Sequence, residues 1–352
     1  MNQNNSTNVC DNIKEELEAK MLDVYFPVIL YLSIFMTFGI IGNCFTFYIY
    51  CFKFEISTTQ TYVVALAICD LLTCAICMPF DIALLHHPFT FHSDILCRFM
   101  VFLVAVIVIS SGFIVIMIAT DRYRLVCRPL GEQVTIESSK KMLVFIVVLA
   151  TFVSLPMLFI HTKEKRIVKQ CGNIGEICAI SDSLKRTIFP FAYYVIGVMC
   201  WCSMFIGLMI LYSLIAVRVG EIDKVKKHKL RQLLKFASYD EKQHGDISLD
   251  VPRFRYVRRQ SLLPTQTNFI FFVITLLWVT SYVPHFISIF WKLSIENFYD
   301  NVTEEVDQIN AFLLLSYYPN CAINPYIYGL CNRHFRSELG HLFRKIRAVS
   351  EK

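Results

Sequence analysis

The chain has 352 residues and a mass of 40.9 kDa, with 55% apolar and only 18% charged residues, a mean hydropathy of +0.51 and a net charge of +6. Soluble domains carry about 25% charged residues, and a surface this apolar would aggregate in water, so a soluble fold is excluded. Disorder and collagen fall with it, because 30 Phe and 17 Tyr supply core-forming bulk and the 12 Gly form no period.

The Asn-rich head, residues 1–23, is polar and lacks the basic start of a signal peptide, so the first span itself is expected to direct insertion. Apolar runs of about 18 residues or more, the length that crosses a bilayer as a helix, follow at 24–51, 60–85, 97–126, 141–161, 188–217, 266–292 and 308–331. Their continuity predicts seven helices, because a membrane barrel would need alternating strands. Between the fourth and fifth runs, Gly172-Asn173-Ile174-Gly175, flanked by Ile167-Val168 and Ile177 to Ile180, predicts a β-hairpin. Residues 218–265 read as a long polar loop, and 332–352 as a short tail.

Seven spans put the two ends on opposite sides, and the basic residues decide which is which. The head and the even-numbered loops hold 10 Lys/Arg, the odd-numbered loops and the tail 24. By the positive-inside rule the N-terminus is outside and the C-terminus cytoplasmic. The sequons at Asn4, Asn5 and Asn301 all fall on the outer side, where glycosylation is possible chemistry. The inner face nets +12 and the outer face −5, so the basic balance is a topology signal that favours anionic membrane lipids, and nucleic acid is not needed as a partner. Cys10, Cys97, Cys171 and Cys178 lie outside, where disulfides persist, and allow three pairings.

One carboxylate, Asp70, lies inside a span, where it costs several kcal/mol unless partnered. Asn43, Ser111, Asn320 and Asn324 stand at matching depth in three other spans, and Asn320 and Asn324 share a helix face. Together they predict an oxygen-rich pocket for a sodium ion, since one carboxylate with neutral oxygens is too weakly charged for a tight divalent site. No other cofactor or metal is expected. No nucleophile-and-base set supports an enzyme, and polarity that converges on one pocket, without a repeated half, speaks against a channel or transporter.

These residues fall in an ordered pattern: Gly42-Asn43, Leu66 to Asp70, Asp121-Arg122-Tyr123, Asn324-Pro325-Tyr326-Ile327-Tyr328 and the following Phe335, with Cys97 25 residues before Arg122. The pattern resembles rhodopsin-like (class A) G-protein-coupled receptors over residues 25–345. The resemblance implies an all-α membrane protein: a seven-transmembrane helix bundle over 24–331 with a short amphipathic eighth helix in 332–352 and an extracellular β-hairpin loop, in the plasma membrane. It implies that Arg122 is held by Asp121 at rest and released to a heterotrimeric G protein, with Tyr123 completing the motif. Tyr212 and Tyr328 would meet in the active state, Pro284 and Pro325 would let their helices bend, and Leu130 after Pro129 would plug into the G protein. Cys97 would pair with a cysteine of the fourth loop, Cys178 in preference to Cys171. Arrestin and receptor kinases are implied as further partners. The tail offers few sites, so Ser261 in Arg258-Arg259-Gln260-Ser261 is the expected phosphorylation site.

The departures carry information too. The sixth span has Trp278 where the family usually places Phe and Tyr282 at the toggle position, and Gly112 replaces a branched residue in the third, leaving space for the larger Trp278. Met204 replaces a proline in the fifth span, the fourth lacks its usual Trp, and Pro264 lies near the place of the expected acidic partner of Arg122. Resting restraint is then expected to rest on Asp121, with elevated basal signalling. Val104 excludes the aspartate of amine receptors and Tyr318 the lysine of opsins. The implied ligand pocket comprises Asp81, Val104, Tyr282, His285, Tyr317 and Tyr318, with Phe89 and Phe91 near the mouth. Acidic clusters at Asp11 to Asp23 and Glu296 to Asp307 would steer a cationic ligand. A peptide with a basic group or free amine fits best, and a lipid or other small molecule is the alternative.

Overall fold

The computed structural model describes residues 3–91, 93–168, 172–185, 187–244, 251–294 and 303–350. Helix α1 spans Gln3–Phe52 and α2 spans Thr58–Leu72, with α2 capped by Ser57, whose Oγ accepts from Gln60 N at 3.1 Å. The same device opens α4 (Asp94–Cys127) at Ser93 and α5 (Ile136–Ser154) at Thr135, each hydroxyl satisfying one of the orphan amides of a helix start. Among the described residues, six helical stretches are long and apolar enough to cross a membrane, including Thr58–His86, Asp94–Cys127 and Ile136–Ile160. Rows of exposed Phe, Val and Ile, such as Phe145, Val148 and Phe152 on α5, give these helices an outward face suited to lipid.

The second span is not a regular helix. Thr73–Cys77 forms a wide π turn between α2 and α3 (Met78–His86), and Met78 N donates to Thr73 O. Pro79 follows immediately, lacks an amide hydrogen and crowds the preceding turn. The wide turn absorbs this and rotates all that follows by about one helical step of 100°. Asp81 owes its direction to that rotation.

The expected seventh helix, 308–331, is broken. Helix α10 (Glu304–Leu314), capped by Thr303, ends before Leu315–Tyr317, and α11 (Tyr318–Cys331) restarts with Pro319 in its first turn, where a missing amide hydrogen costs nothing. Helix α12 (Arg333–Ser350) then runs amphipathically, with Phe335 buried beside Tyr50 and Tyr328.

Two segments differ from the sequence reading. The long loop expected at 218–265, apart from 245–250, which lie outside the described residues, is carried on helices, since α8 runs over Ile188–His244 and α9 over Val251–Ser294; charged residues that are no membrane core are still good helix formers. The head likewise belongs to α1, which begins at Gln3. Short helices α6 (Met157–Ile160) and α7 (Asp182–Lys185) flank the hairpin.

The hairpin exists, with a different turn. Strand β1 (His161–Val168) pairs antiparallel with β2 (Gly172–Ile180), so Gly172 to Gly175 lie within β2, and the connecting residues, Cys171 included, lie outside the described residues. Gly175 serves another purpose: a Cβ there would stand 2.5 Å from Phe89 O and 2.6 Å from Phe89 Cβ. The bare backbone lets β2 meet residues 89–91, with Glu176 N donating to Phe89 O and Phe91 N to Glu176 O, both at 3.0 Å. Gly175→Ala is therefore expected to detach β2 from this segment at a cost of about 1–3 kcal/mol, because backbone atoms cannot swing aside. Hydrogen exchange of the Glu176 and Phe91 amides checks this, and unchanged protection would refute it.

Candidate functional site

Three layers of side chains run through the bundle. At mid-depth, Asp70 is buried and accepts from Asn324 Nδ2 at 2.8 Å. A cavity beside it is lined by Asp70, Thr73, Ser111, Asn320 and Asn324, and by the rings of Trp278 and Tyr282. Asn43 is not among them. Its amide donates to Gly39 O at 3.0 Å and Cys321 O at 2.8 Å, tying α1 to α11, because the adjacent Gly42 brings Pro325 against α1 and turns this face to the neighbouring backbone. The remaining set, one carboxylate with hydroxyl and amide oxygens, suits a sodium ion.

The outer layer is aromatic. Tyr318 donates its hydroxyl to Asp81 Oδ2, and its ring lies 4.4 Å from that of Tyr317. Tyr317 stacks on Tyr282 at 5.5 Å and 15° and meets His285 edge-on at 4.9 Å. Tyr282 in turn lies 5.3 Å from Trp278 one turn below. The Trp278 ring fills the space over Gly112, where a Cβ would come within 2.7 Å of its Cζ2 and 3.1 Å of Met204 Cε. Val104 is half-buried against the same core. Pro284 lies within α9, two residues beyond Tyr282, and the helix continues through it.

Above this layer the hairpin is fastened to α4. Cys97 and Cys178 form a disulfide with Cα atoms 5.5 Å apart. Next to it, Arg98 donates to Asp94 Oδ2 and Leu158 O at 2.8 Å and to Thr162 Oγ1 at 2.7 Å, while Asp94 Oδ1 accepts from Thr162 Oγ1 and Lys163 N. The sequence reading missed this clasp. An acid and a base four residues apart at a helix start were the available signal.

At the opposite end Arg122 pairs with Asp121 at 3.0 Å, and both side chains are nearly buried. Asp121 also accepts from Thr58 Oγ1 at 2.8 Å and Thr59 Oγ1 at 3.0 Å, two partners that sequence reasoning did not name. Thr275 donates to the Tyr212 hydroxyl at 3.2 Å. Tyr328 is buried within 5.7 Å of Tyr50, and Tyr123 is half-buried against the core. Leu130, after Pro129, is fully exposed beyond the end of α4. Ser261 lies on α9 and Asn4 and Asn5 on α1, whereas Asn301 lies outside the described residues.

These features define a multi-pass helical membrane protein with a polar mid-membrane cavity, a cluster of packed aromatic rings, a disulfide-pinned hairpin, and an arginine held in its own acid's grip at the other end. Residues 42–328 match the family described as 7 transmembrane receptor (rhodopsin family), and the chain belongs to that family, one of G-protein-coupled receptors rather than enzymes. It is similar to a cholecystokinin receptor of Xenopus laevis, 22% identical over 348 residues that cover 90% of this chain and 76% of the relative. A neuropeptide Y receptor type 4 of Rattus norvegicus is 26% identical over 157 residues, 44% of this chain and 42% of the relative. The nematocin receptor 2 of Caenorhabditis elegans is 26% identical over 182 residues, covering 49% and 44%. For the latter two relatives the match spans less than half of their length.

Proposed function

We propose that this protein is a plasma-membrane receptor for an extracellular peptide, with its N-terminus outside and its C-terminus inside, that activates heterotrimeric G proteins. The observation that carries the peptide reading is the hairpin. Its strands are held on one side by Cys97–Cys178 and Arg98 and on the other by residues 89–91, so the hairpin forms a fixed border along that segment. An extended peptide suits such a border. The relatives' names, cholecystokinin, neuropeptide Y and nematocin receptors, support the same reading. A peptide library applied to transfected cells with calcium and cyclic-nucleotide readouts tests it. Response to a lipid or small-molecule library alone would replace it.

In this reading Arg122 leaves Asp121 to meet the G protein, and the exposed Leu130 enters it. The basic inner face holds anionic lipids, and arrestin and receptor kinases act on the 218–265 segment, with Ser261 as phosphoacceptor. Asn4, Asn5 and Asn301 are the proposed glycosylation sites.

Sodium held by Asp70, Ser111, Asn320 and Asn324 would favour the resting state, because Trp278 and Tyr282 line the same cavity. Raising sodium is then expected to weaken agonist affinity, and Asp70→Asn to abolish that dependence. Agonist binding across a sodium series checks this; a sodium response that survives the mutation would refute the site.

A further inference from the structure

We propose that Asp81 receives the cationic group of the ligand, an ammonium or guanidinium, at the end of a row of tyrosine rings, displacing the hydroxyl of Tyr318. The assignment rests on the peptide-receptor reading above and names the chemistry of its recognition point.

None of the ion pairs among the described residues of the outer half involves Asp81. Arg98 is committed to Asp94 at 2.8 Å, Lys163 to Glu176 at 2.9 Å, Lys185 to Asp182 at 2.6 Å, and Lys20 to Glu304. Among the described residues no Lys or Arg pairs with Asp81, whose carboxylate takes a hydrogen bond from the neutral Tyr318 hydroxyl. Among the described residues, Asp307 is the other outer carboxylate bound by a tyrosine, but it is 5% exposed and closed in by Tyr25 at 2.5 Å and by the packing of α1 on α10. Asp81 is half-buried instead, with the Tyr318 hydroxyl upon it.

Those rings are suited to a cation. Tyr318, Tyr317 and Tyr282 follow one another at 4.4 and 5.5 Å, with His285 4.9 Å from Tyr317. Ring faces carry negative potential and attract ammonium and guanidinium groups, most strongly where water is excluded. A carboxylate at the end of such a row adds the opposite charge, and a partly desolvated carboxylate without a cation is an unfavourable arrangement that a charged ligand relieves. The π turn at Thr73–Cys77 turns Asp81 onto this row, and Val104, at the place where amine receptors carry their acid, offers no competing charge.

Displacement also links recognition to the core. Once Asp81 bonds the ligand, Tyr318 loses its anchor, and its ring rests on Tyr317, which stacks on Tyr282 above Trp278. A contact made on α3 is thereby felt on α9.

Purified receptor is titrated with benzylammonium and benzylguanidinium chloride, with benzyl alcohol as the neutral control, and followed by thermal shift and saturation-transfer NMR. The cations are expected to raise Tm and show ring contacts in the wild type, the alcohol to do neither, and Asp81→Asn to lose both effects. Tyr318→Phe is expected to bind the cations about tenfold more tightly, the strength of a competing hydrogen bond to a charged group. Absence of cation binding, equal binding of the alcohol, or undiminished binding by Asp81→Asn in a protein of normal melting would overturn the proposal. Should Asp81→Asn melt early, the Tyr318→Phe comparison decides, and unchanged or weaker binding there overturns it. In cells, active peptides are then retested after N-acetylation and replacement of Lys by norleucine or Arg by citrulline. A loss of about thirtyfold or more is expected in the wild type, as for leaving one partner of a desolvated charge pair alone, with no further loss in Asp81→Asn. Undiminished potency would overturn the assignment and leave the peptide reading standing. Asp81-dependent cation binding without any active peptide would do the reverse.

Discussion

Cys97→Ala and Cys178→Ala are each expected to remove the receptor from the cell surface or to abolish ligand binding. The bond joins α4 to β2 across 81 residues of sequence, and Cys97 is completely buried at the junction. Without it the hairpin is held by the Arg98 and Asp94 clasp and by the two backbone bonds between Glu176 and residues 89–91. A disulfide contributes about 2–4 kcal/mol, so the properly docked fraction should fall by about one to three orders of magnitude. Surface labelling and saturation binding measure this, with Arg98→Ala as a milder comparison that removes the clasp and leaves the covalent tie. Normal surface expression with unchanged binding in both cysteine variants would show that the hairpin does not need the bond.

Gly112→Ile is expected to raise basal signalling, and Trp278→Phe added to it to restore much of the resting balance. The Trp278 indole occupies the space over Gly112 while Arg122 is held by Asp121, and under the proposed mechanism that pairing marks the resting arrangement. A Cβ alone would lie 2.7 Å from the indole and 3.1 Å from Met204. Met204 can move, since its thioether chain is flexible. The indole cannot move so freely, being buried and packed against Tyr282. Overpacking of this kind costs about 1–3 kcal/mol, equivalent to a shift of about 5- to 150-fold between two states. Bistable packing would then carry the strain to the N-terminal end of α9. Basal and agonist-driven signalling at matched surface expression test it in both single variants and the pair. Strictly additive effects would mean that the two residues do not communicate, and a fall in basal activity would reverse the assignment of states.

Sequence alone determined the membrane class, six of the seven spans, the family resemblance and the presence of a hairpin. It could do so because each rests on signals that are local or additive: runs of apolar residues, the bias of Lys and Arg, and motifs at set spacing. The match of Trp278 with Gly112 was legible for a related reason, since a large and a small residue had changed places against the same pattern. Other features were settled only by tertiary structure. The turn of the hairpin moved because Gly175 is required by Phe89 on another segment, a neighbour that strand periodicity does not reveal. Asn43 left the Asp70 cavity because hydrogen bonds to Gly39 and Cys321 carbonyls claim its amide, and depth in a span does not report direction around a helix. Asp121 found Thr58 and Thr59, and Arg98 found Thr162 and Leu158, across gaps of about sixty residues that no local pattern encodes. The direction of Asp81 depends on one wide turn before Pro79, since a single extra residue in a helix rotates every side chain beyond it.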